Sequence, residues 1–507
     1  MDKKYQPYHI ILFIILSFLI LGAVVIFVPD GKIMLGSYEF RFLSQKKLLK
    51  ENKKQAIDLQ SIIASVDTTM IDDEEEPVNK EVKPIQAPIK DSDLLVYNEQ
   101  GKANLTAFFH QLNQASSKKI RILHYGDSQI EGDRITGFLR QRIQTKFGGN
   151  GPGFIPAVNV YNTLTFNQIV SDNFERYTNF GGNPLKTNHY GILNTVGRFT
   201  PESVHREEKP KPKQTVDSLS VDSIIVDSDS INEINTIENE ELNLVEAWVE
   251  IEAGDMTYAK AKNYKHVYIH YTQALKPCGI KVFQNDDLIV SDSLKADGQY
   301  HIYPLHFSEN PGKLRFEYTA ESSPNILAYS LEGDKGVQVD NIAMRGSSGM
   351  FFGKINQSLA KRIYDEQNVQ LFIMQYGGNS VPYINDSTDA KNNATYFKGQ
   401  LQAIKRLRPE AAIIVIGPSD MSTLIDGEYT TYPLLPYFID QLKTATKEVG
   451  GAYFDMFLAM GGMDSMLAWV DNGLAGKDYI HFTTQGTRIV AQKFYDMLMA
   501  AYNELMQ

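Results

Sequence analysis

The chain has 507 residues, and at roughly 100 to 200 residues per domain this length predicts two or three folded units. Hydrophobic residues make up 43% and charged residues 22%, which excludes a wholly disordered, collagen-like or multi-span membrane protein. The net charge of −11 comes from the stretches 72–76 and 216–242, which hold five and eight acidic residues and no basic ones. Since the remainder is near neutral, we expect no nucleic-acid partner. The single cysteine, Cys278, excludes an intramolecular disulfide and a cysteine-based metal cluster.

The N-terminus carries a hydrophobic run from Ile10 to Val28, with no charge and only Ser17 as a polar side chain. Nineteen residues are enough to cross a bilayer as a helix, so residues 1–30 are predicted to form a single-pass membrane anchor through 10–28. A cleavable signal peptide would have a shorter apolar region and a small-residue cleavage site. Flanking positive charges are more numerous after the run than before it, but a large trailing domain is exported with little regard for charge. We therefore expect an uncleaved anchor in the bacterial inner membrane, with the rest of the chain in the periplasm.

Two low-complexity segments divide the chain. Residues 31–93 are rich in charge and contain several prolines, which predicts a charged linker. Residues 201–243 combine a Lys-Pro repeat with three Val-Asp-Ser triplets, which predicts a disordered insertion. The triplets recur every five residues, a spacing that also suggests a calcium-binding repeat, but they lack the glycines that such turns need.

The remaining sequence shows two patterns of hydrophobicity. Within 157–335 short alternating strands are separated by Gly, Asn, Asp and Pro clusters, which predicts a β-sandwich. Within 94–156 and 336–507 short apolar strands alternate with helical periods, which predicts an α/β domain with a parallel sheet. The sandwich is therefore expected to be inserted in the α/β domain.

A serine follows the first strand of the α/β region. The strand 120–124 ends in Tyr-Gly-Asp-Ser-Gln, and helical periodicity begins soon after, so Ser128 is predicted at a strand-to-helix turn. A serine there is exposed at the carboxyl edge of the sheet, and the free amides of the helix can stabilise a negative charge. Taken alone, this segment is better explained as an ordinary helix cap.

An Asp-x-x-His motif precedes the final helical segment. Asp478 and His481 are three residues apart on a predicted loop, so the carboxylate can orient one ring nitrogen while the other acts as a general base on a serine. A surface histidine before a helix-starting threonine is the alternative. Two glycine-rich segments, Arg345–Gly349 and Tyr376–Ser380, each follow an apolar stretch and offer a backbone amide and a side-chain amide for an oxyanion, although each is also explained as a tight turn.

Taken in order, these four segments resemble the SGNH (GDSL-like) hydrolase superfamily. The resemblance implies a flavodoxin-like three-layer α/β/α domain, with Ser128, Asp478 and His481 as the catalytic residues. It implies an oxyanion hole made by Ser128, Gly346 and Asn379. Gln129 stands where the family name has Leu, and Ser380 stands where many members have Asp.

The inserted β-rich module after the glycine-rich segment 148–154 is similar to that of peptidoglycan O-acetylesterases, in which the module resembles a family-35 carbohydrate-binding domain. This likeness implies a serine esterase that removes O-acetyl groups from a cell-envelope polysaccharide, with peptidoglycan as the expected polymer and no metal or organic cofactor. A polysaccharide O-acetyltransferase with the same triad is the first alternative. A non-catalytic glycan-binding envelope protein is the second, and the intact triad argues against it.

Two further histidine positions are candidates for chemistry. His266 and His270 lie four apart in an alternating strand, which places both on one face and suggests a metal pair, but no third ligand is evident and no metal is expected. His124 lies four residues before Ser128, close enough to reach the site, although a strand residue beneath the turn is more often structural.

Overall fold

The computed structural model of the chain describes residues 11–18, 23, 32–35, 38–41, 94–202 and 243–507. The described residues up to 41 belong to one compact unit, and those from 94 onward belong to another. The described part contains strands with these bounds: β1 Lys32–Leu35, β2 Tyr38–Arg41, β3 Leu95–Val96, β4 Lys119–Gly126, β5 Gly153–Pro156, β6 Phe166–Val170, β7 Glu175–Thr178, β8 Thr195–Arg198, β9 Val245–Ala253, β10 His266–Thr272, β11 Cys278–Gln284, β12 Asp287–Leu294, β13 His301–His306, β14 Leu314–Ala320, β15 Asn325–Glu332, β16 Gly336–Ala343, β17 Val369–Gln375, β18 Ala412–Ile416, β19 Ser422–Ile425, β20 Glu428–Thr431 and β21 Ala452–Phe454.

The second unit contains α-helices with these bounds: α1 Glu99–Leu112, α2 Arg134–Phe147, α3 Ala259–Lys262, α4 Gln357–Glu366, α5 Ser387–Leu407, α6 Leu435–Glu448, α7 Met456–Ala459, α8 Ser465–Asp471 and α9 Thr484–Leu505. Two 3₁₀ helices, Ser128–Asp133 and Gly378–Tyr383, follow β4 and β17 directly. These two short helices occupy the positions where the sequence predicts the nucleophile and an oxyanion donor.

The first unit contains residues 11–18 in helical conformation and the antiparallel hairpin β1–β2. The predicted membrane span 10–28 lies largely outside the described residues, so it stays a prediction. Among the residues that are described, no helix combines the length and the apolar character that crossing a bilayer requires. The hairpin lies inside the predicted linker 31–93.

The rest of the predicted linker, residues 42–93, lies outside the described residues. So does the predicted disordered insertion, apart from its ends at 201–202 and 243. The calcium-binding alternative for the Val-Asp-Ser triplets falls in the same undescribed stretch.

The α/β sheet has the order β16-β4-β17-β18-β21-β3, in which the first five strands are parallel and β3 is antiparallel to β21. Numbered along the chain, the five parallel strands run 2-1-3-4-5, the flavodoxin-like order. Strands β4, β17 and β18 are almost entirely buried, as expected for central strands covered on both faces. Helices α4, α5 and α6 share a core with one face of the sheet, and α1, α2 and α9 lie on the other. The predicted α/β class and its three layers are confirmed.

The insertion between α2 and β16 forms two antiparallel sheets. One has the order β13-β10-β15-β8-β7, with β5 also paired to β15, and the other has the order β12-β11-β14-β9-β6. Apolar side chains from both sheets form a single core, so the insertion is a β-sandwich. The pairing of β5 with β15 begins at Gly153, four residues before the predicted boundary at 157. The glycine-rich segment hid this strand from the sequence pattern.

A buried ionic cluster joins the sandwich to the parallel sheet. Arg121 of β4 contacts Glu332 of β15 and lies 3.2 Å from the Asp340 carboxylate of β16. Asp340 also accepts a 2.6 Å hydrogen bond from the backbone amide of Phe154 in β5. Burial raises the pKa of Glu332, but the Arg121 and Lys119 charges outweigh it and hold that pKa below its usual value. The two modules are therefore fixed to each other by charge as well as by packing.

Candidate active site

The turn after β4 presents Ser128 at the carboxyl edge of the sheet. Asp127 caps the 3₁₀ helix Ser128–Asp133 by accepting a 3.0 Å hydrogen bond from the amide of Gln129. Gly126 permits the tight turn, because a Cβ at that position would lie 2.9 Å from the Ile130 side chain. The strand-to-helix turn predicted for Ser128 is present.

The loop between α8 and α9 carries Asp478 and His481. The Asp478 Oδ2 lies 2.7 Å from His481 Nδ1, and its Oδ1 accepts hydrogen bonds of 3.1 Å from the amides of Ile480 and His481. Burial raises the pKa of Asp478, but these hydrogen bonds and the neighbouring His481 outweigh it and lower the pKa from its usual value. The carboxylate is thus held ionised and aimed at the ring nitrogen that faces away from the serine. Thr483 then caps α9 through the amide of Gly486.

The two segments meet at the cleft. Ser128 Oγ and His481 Nε2 are 2.8 Å apart, so Ser128, His481 and Asp478 form a continuous hydrogen-bonded chain. Such a chain gives the hydroxyl an acceptor for its proton and fixes the tautomer of the imidazole. The structure therefore brings together the three residues that the two sequence motifs predicted.

Two side chains that the motifs did not identify tie the serine turn to the histidine loop. Gln129 Nε2 donates a 2.9 Å hydrogen bond to the Ile480 carbonyl. Arg134 donates to the Ser128 carbonyl at 3.2 Å and to the Phe482 carbonyl at 3.3 Å. Both side chains connect segments that are about 350 positions apart in the sequence, so no local sequence pattern predicts these hydrogen bonds. They hold the backbone on each side of the Ser128–His481 contact.

Of the predicted oxyanion residues Asn379 and Gly346, only Asn379 lines the cleft. Asn379 lines the same cleft as Ser128, but its Nδ2 donates 3.0 Å hydrogen bonds to both Asp127 Oδ2 and the Ser347 carbonyl. Both amide protons of Asn379 are therefore engaged in this state. Gly346 has a φ of +75°, and the turn that contains it is fixed by the Ser347 contact with Asn379, but Gly346 is not among the residues that line the cleft. Ser380 is buried and donates its amide to the Gly377 carbonyl, which closes the 3₁₀ turn without a carboxylate.

Asp127 is a buried carboxyl directly behind the nucleophile. Burial raises its pKa to about 6, against the hydrogen bonds from the Gln129 amide and Asn379 and the charge of His481. The folded protein binds this proton more tightly than the unfolded chain does, so its contribution to stability falls as the pH rises from 3.8 to about 6. The ionised form is the one that accepts hydrogen bonds from both neighbours. Burying the ionised carboxylate thus reduces the stability of the folded protein, and such perturbed carboxyl groups are common at functional sites.

An open cleft with an empty volume of about 690 Å³ surrounds these groups. It lies at the carboxyl ends of β4, β17 and β18, where the strand order reverses between β4 and β17. Ligands bind at this position in open α/β sheets. The walls include Ser128, His481, Asn379, Tyr383 and Met421.

The other predicted histidines do not contribute to this site. His124 is fully buried, with hydrogen bonds of 2.9 Å to Thr136 and 3.1 Å to Gln375, and burial lowers its pKa to about 3. It is a neutral structural residue beneath the turn. Within the described ranges, no group of three or more His, Cys, Asp and Glu residues has an arrangement that could hold a metal ion.

The suggested pair of His266 and His270 is not a ligand pair. His266 contacts His306 at 2.8 Å and Asp334 at 2.7 Å near the surface. His270 is buried and hydrogen-bonds to Tyr300 at 2.7 Å, and burial together with the Arg121 charge lowers its pKa to about 3. The two imidazoles share no partner, since His266 lies at the partly exposed start of β10 whereas His270 lies in its buried part.

One solved structure matches almost the whole of its own length to this chain. It is a peptidoglycan O-acetylesterase with 18% identity and a TM-score of 0.58, and the match covers 81% of this chain and 99% of that chain. The chain has the fold of that esterase. No family model and no curated protein matches the sequence.

Two other solved structures match with much lower TM-scores. One is a putative GDSL-like lipase from Parabacteroides merdae, with 12% identity, a TM-score of 0.25 and coverage of 33% of this chain and 73% of that chain. Another is a family 2 carbohydrate esterase with a carbohydrate-binding domain from Corynascus thermopiles, with 12% identity, a TM-score of 0.24 and coverage of 51% and 94%. These values are too low to add to the argument, which rests on the first match and on the geometry.

The contact between Gln129 and Ile480 can be tested by replacing Gln129 with leucine. Gln129→Leu removes one hydrogen bond that positions the histidine loop, and a single such bond contributes about 0.5–1.5 kcal/mol. We expect the rate at which p-nitrophenyl acetate acylates Ser128 to fall about 2- to 10-fold. Gln100→Leu, on the exposed surface of α1, is the control and leaves the rate unchanged. An unchanged rate in Gln129→Leu would show that the contact does not position the site.

Proposed function

We propose that this protein is a serine esterase that removes O-acetyl groups from a cell-envelope polysaccharide, with peptidoglycan as the substrate. The observation that carries the proposal is the chain of hydrogen bonds from Ser128 Oγ through His481 to Asp478, with distances of 2.8 and 2.7 Å. The fold match to a peptidoglycan O-acetylesterase over 81% of the chain supports the choice of reaction and polymer.

The mechanism follows from the positions of the three residues. His481 Nε2 takes the proton of Ser128 as Oγ attacks the acetyl carbonyl, and Asp478 stabilises the imidazolium through Nδ1. Collapse of the tetrahedral intermediate expels the sugar hydroxyl, which receives the proton from His481. Water, deprotonated by the same nitrogen, then attacks the acetyl-serine and releases acetate.

The developing oxyanion needs donors beside Ser128. The amides of Ser128 and Gly346 are the backbone candidates, since neither makes a hydrogen bond to another described residue. Asn379 contributes when it exchanges one of its present acceptors, Asp127 or the Ser347 carbonyl, for the oxyanion. Such hydrogen bonds commonly form only in the complex with substrate. Asn379 is therefore expected to release one of these two acceptors when the substrate binds.

The cleft supports a carbohydrate as the alcohol part of the ester. Tyr383 lines it and is 75% exposed, so that its ring is available to stack on a sugar. A small apolar ester would not need so open a site. The inserted sandwich, whose likeness to a carbohydrate-binding module comes from the sequence, is consistent with a polymeric substrate.

Replacement of the nucleophile tests this function. Ser128→Ala is expected to reduce acetate release from acetylated peptidoglycan by about 10³-fold or more, since the loss of a triad nucleophile leaves only binding and oxyanion stabilisation. Ser116→Ala, on the exposed surface, is the matched control and retains full activity. Acetate is measured enzymatically, with acetylated xylan as a second polymer. Undiminished release from peptidoglycan in Ser128→Ala would contradict the assignment, and release from xylan alone would contradict the choice of polymer.

We also propose that residues 10–28 anchor the protein in the bacterial inner membrane and that the esterase domain lies in the periplasm. The apolar run and the envelope substrate support this arrangement. Protease added to spheroplasts is expected to degrade the domain from residue 94 onward while cytoplasmic proteins stay intact. Protection of that domain until the spheroplasts are lysed would contradict the orientation.

A further inference from the structure

A second cleft, with an empty volume of about 670 Å³, lies between the α/β domain and the sandwich. The α/β domain contributes the end of the serine turn, Gly132 and Asp133, and the end of β16, Asn341 to Ala343. The sandwich contributes Arg176 of β7, Thr195 of β8 and the loop 158–163. The cleft is therefore formed only where the two modules meet.

This second cleft adjoins the candidate active site through one short segment. Ser128 and Gln129 line the first cleft, whereas Gly132 and Asp133 line the second. Ser128 and Gly132 are four residues apart, so their Cα atoms are separated by no more than about 14 Å. A polymer that places an ester at Ser128 can therefore place a neighbouring substituent in the second cleft.

Positive charges outnumber negative ones among the described residues that line the second cleft. Asp133 and Arg140 neutralise each other through hydrogen bonds of 2.5 and 3.2 Å, and Thr165 also donates to Asp133. Arg176 is half-buried, and its guanidinium makes no hydrogen bond or ion pair with any described residue. Burial lowers its pKa, and the nearby Tyr161 hydroxyl opposes this. Among the described residues that line the cleft, the charges thus sum to one positive charge, which is partly removed from water and has no counter-ion among them.

Removing an arginine side chain from water costs free energy, and an anion that pairs with the guanidinium offsets this cost. The planar guanidinium fits a carboxylate through two parallel hydrogen bonds. Tyr161, near Arg176, also contacts Arg345, whose guanidinium lies 4.9 Å from the centre of the Tyr161 ring and hydrogen-bonds to Glu131 at 2.7 Å. The wall next to Arg176 is therefore tied to the serine turn, and it gives the cleft a fixed geometry relative to Ser128.

We propose that the second cleft is a subsite for a carboxylate carried by the polymer, and that Arg176 binds it. This inference rests on the proposed function, because it places the carboxylate on the same chain as the ester. It identifies the substrate class as an anionic glycan whose carboxylates lie within reach of the esterified sugar. Peptidoglycan, whose peptide branches carry carboxylates, satisfies this condition, whereas an unsubstituted neutral xylan does not.

A binding experiment without turnover tests the proposal. Full-length protein with Ser128→Ala, in detergent solution, is titrated calorimetrically with an acetylated disaccharide-peptide from peptidoglycan. The same fragment with its carboxylates converted to amides is the matched ligand. We expect the free carboxylates to bind about 10- to 100-fold more tightly, as for a hydrogen-bonded charged group. Adding Arg176→Gln should remove that difference, whereas adding Arg406→Gln, on the exposed face of α5, should retain it.

The outcomes separate this proposal from the proposed function. Equal affinity for the two fragments, a preference that survives Arg176→Gln, or no binding of either fragment would overturn it. If Arg176→Gln does not fold, as judged by its thermal unfolding, Arg176→Lys is used, because it keeps the charge and loses the planar fork; an intermediate preference supports the proposal and an unchanged one overturns it. Failure of the proposed function is detected separately, as an absence of acetate release when Ser128 is present.

Discussion

The hydrogen bond between Ser128 Oγ and His481 Nε2 joins positions 353 residues apart, and the fold is arranged so that this contact forms. The carboxyl ends of parallel strands meet at one edge of a sheet, which is why the turns after β4, β17 and β18 converge on one cleft. The final loop then has to carry His481 to the same edge. Gln129 and Arg134 fix that last approach by hydrogen-bonding to the backbone on both sides of the histidine. The chemistry depends on this closure between the first strand and the last helix.

The chain also carries a large insertion between α2 and β16, which returns to the sheet where Gly336 pairs with Lys119 at the start of β4. The buried contacts of Arg121 with Glu332 and Asp340 cross the boundary between sandwich and sheet, so the insertion is fixed to the central strand that leads to Ser128. Buried ion pairs of this kind add little net stability, but they penalise any arrangement that separates the charges. A fixed orientation is what a subsite between two modules requires. The unpaired Arg176 lies at that junction, where neither module alone forms a site.

Much of this architecture could be predicted from the sequence. The Gly-Asp-Ser and Asp-x-x-His segments could be interpreted locally. The periodicity of the neighbouring residues places Ser128 at a turn between a strand and a helix, and places His481 on a loop before the last helix. Alternating hydrophobicity likewise predicted the sandwich. The flavodoxin-like order followed from resemblance, and the strand pairing agrees with it.

The parts that could not be predicted depend on distant contacts. The short strand β5 was missed because glycines mask its pattern, and it forms only by pairing with β15. The roles of Gln129 and Arg134 need partners about 350 residues away. His266 and His270 share a strand, yet one faces the surface and the other the module boundary. Sequence spacing predicts which residues lie on one strand, but it does not predict what packs against them.

The most direct test of the account is to identify the residue that becomes acylated. Full-length protein is treated with a fluorophosphonate, which forms a stable adduct with an activated serine, and its peptides are analysed by mass spectrometry. The geometry predicts a single adduct on Ser128, because its hydroxyl lies 2.8 Å from His481 Nε2. An adduct on another serine, or none at all on folded protein, would contradict the claim that this triad is the catalytic centre.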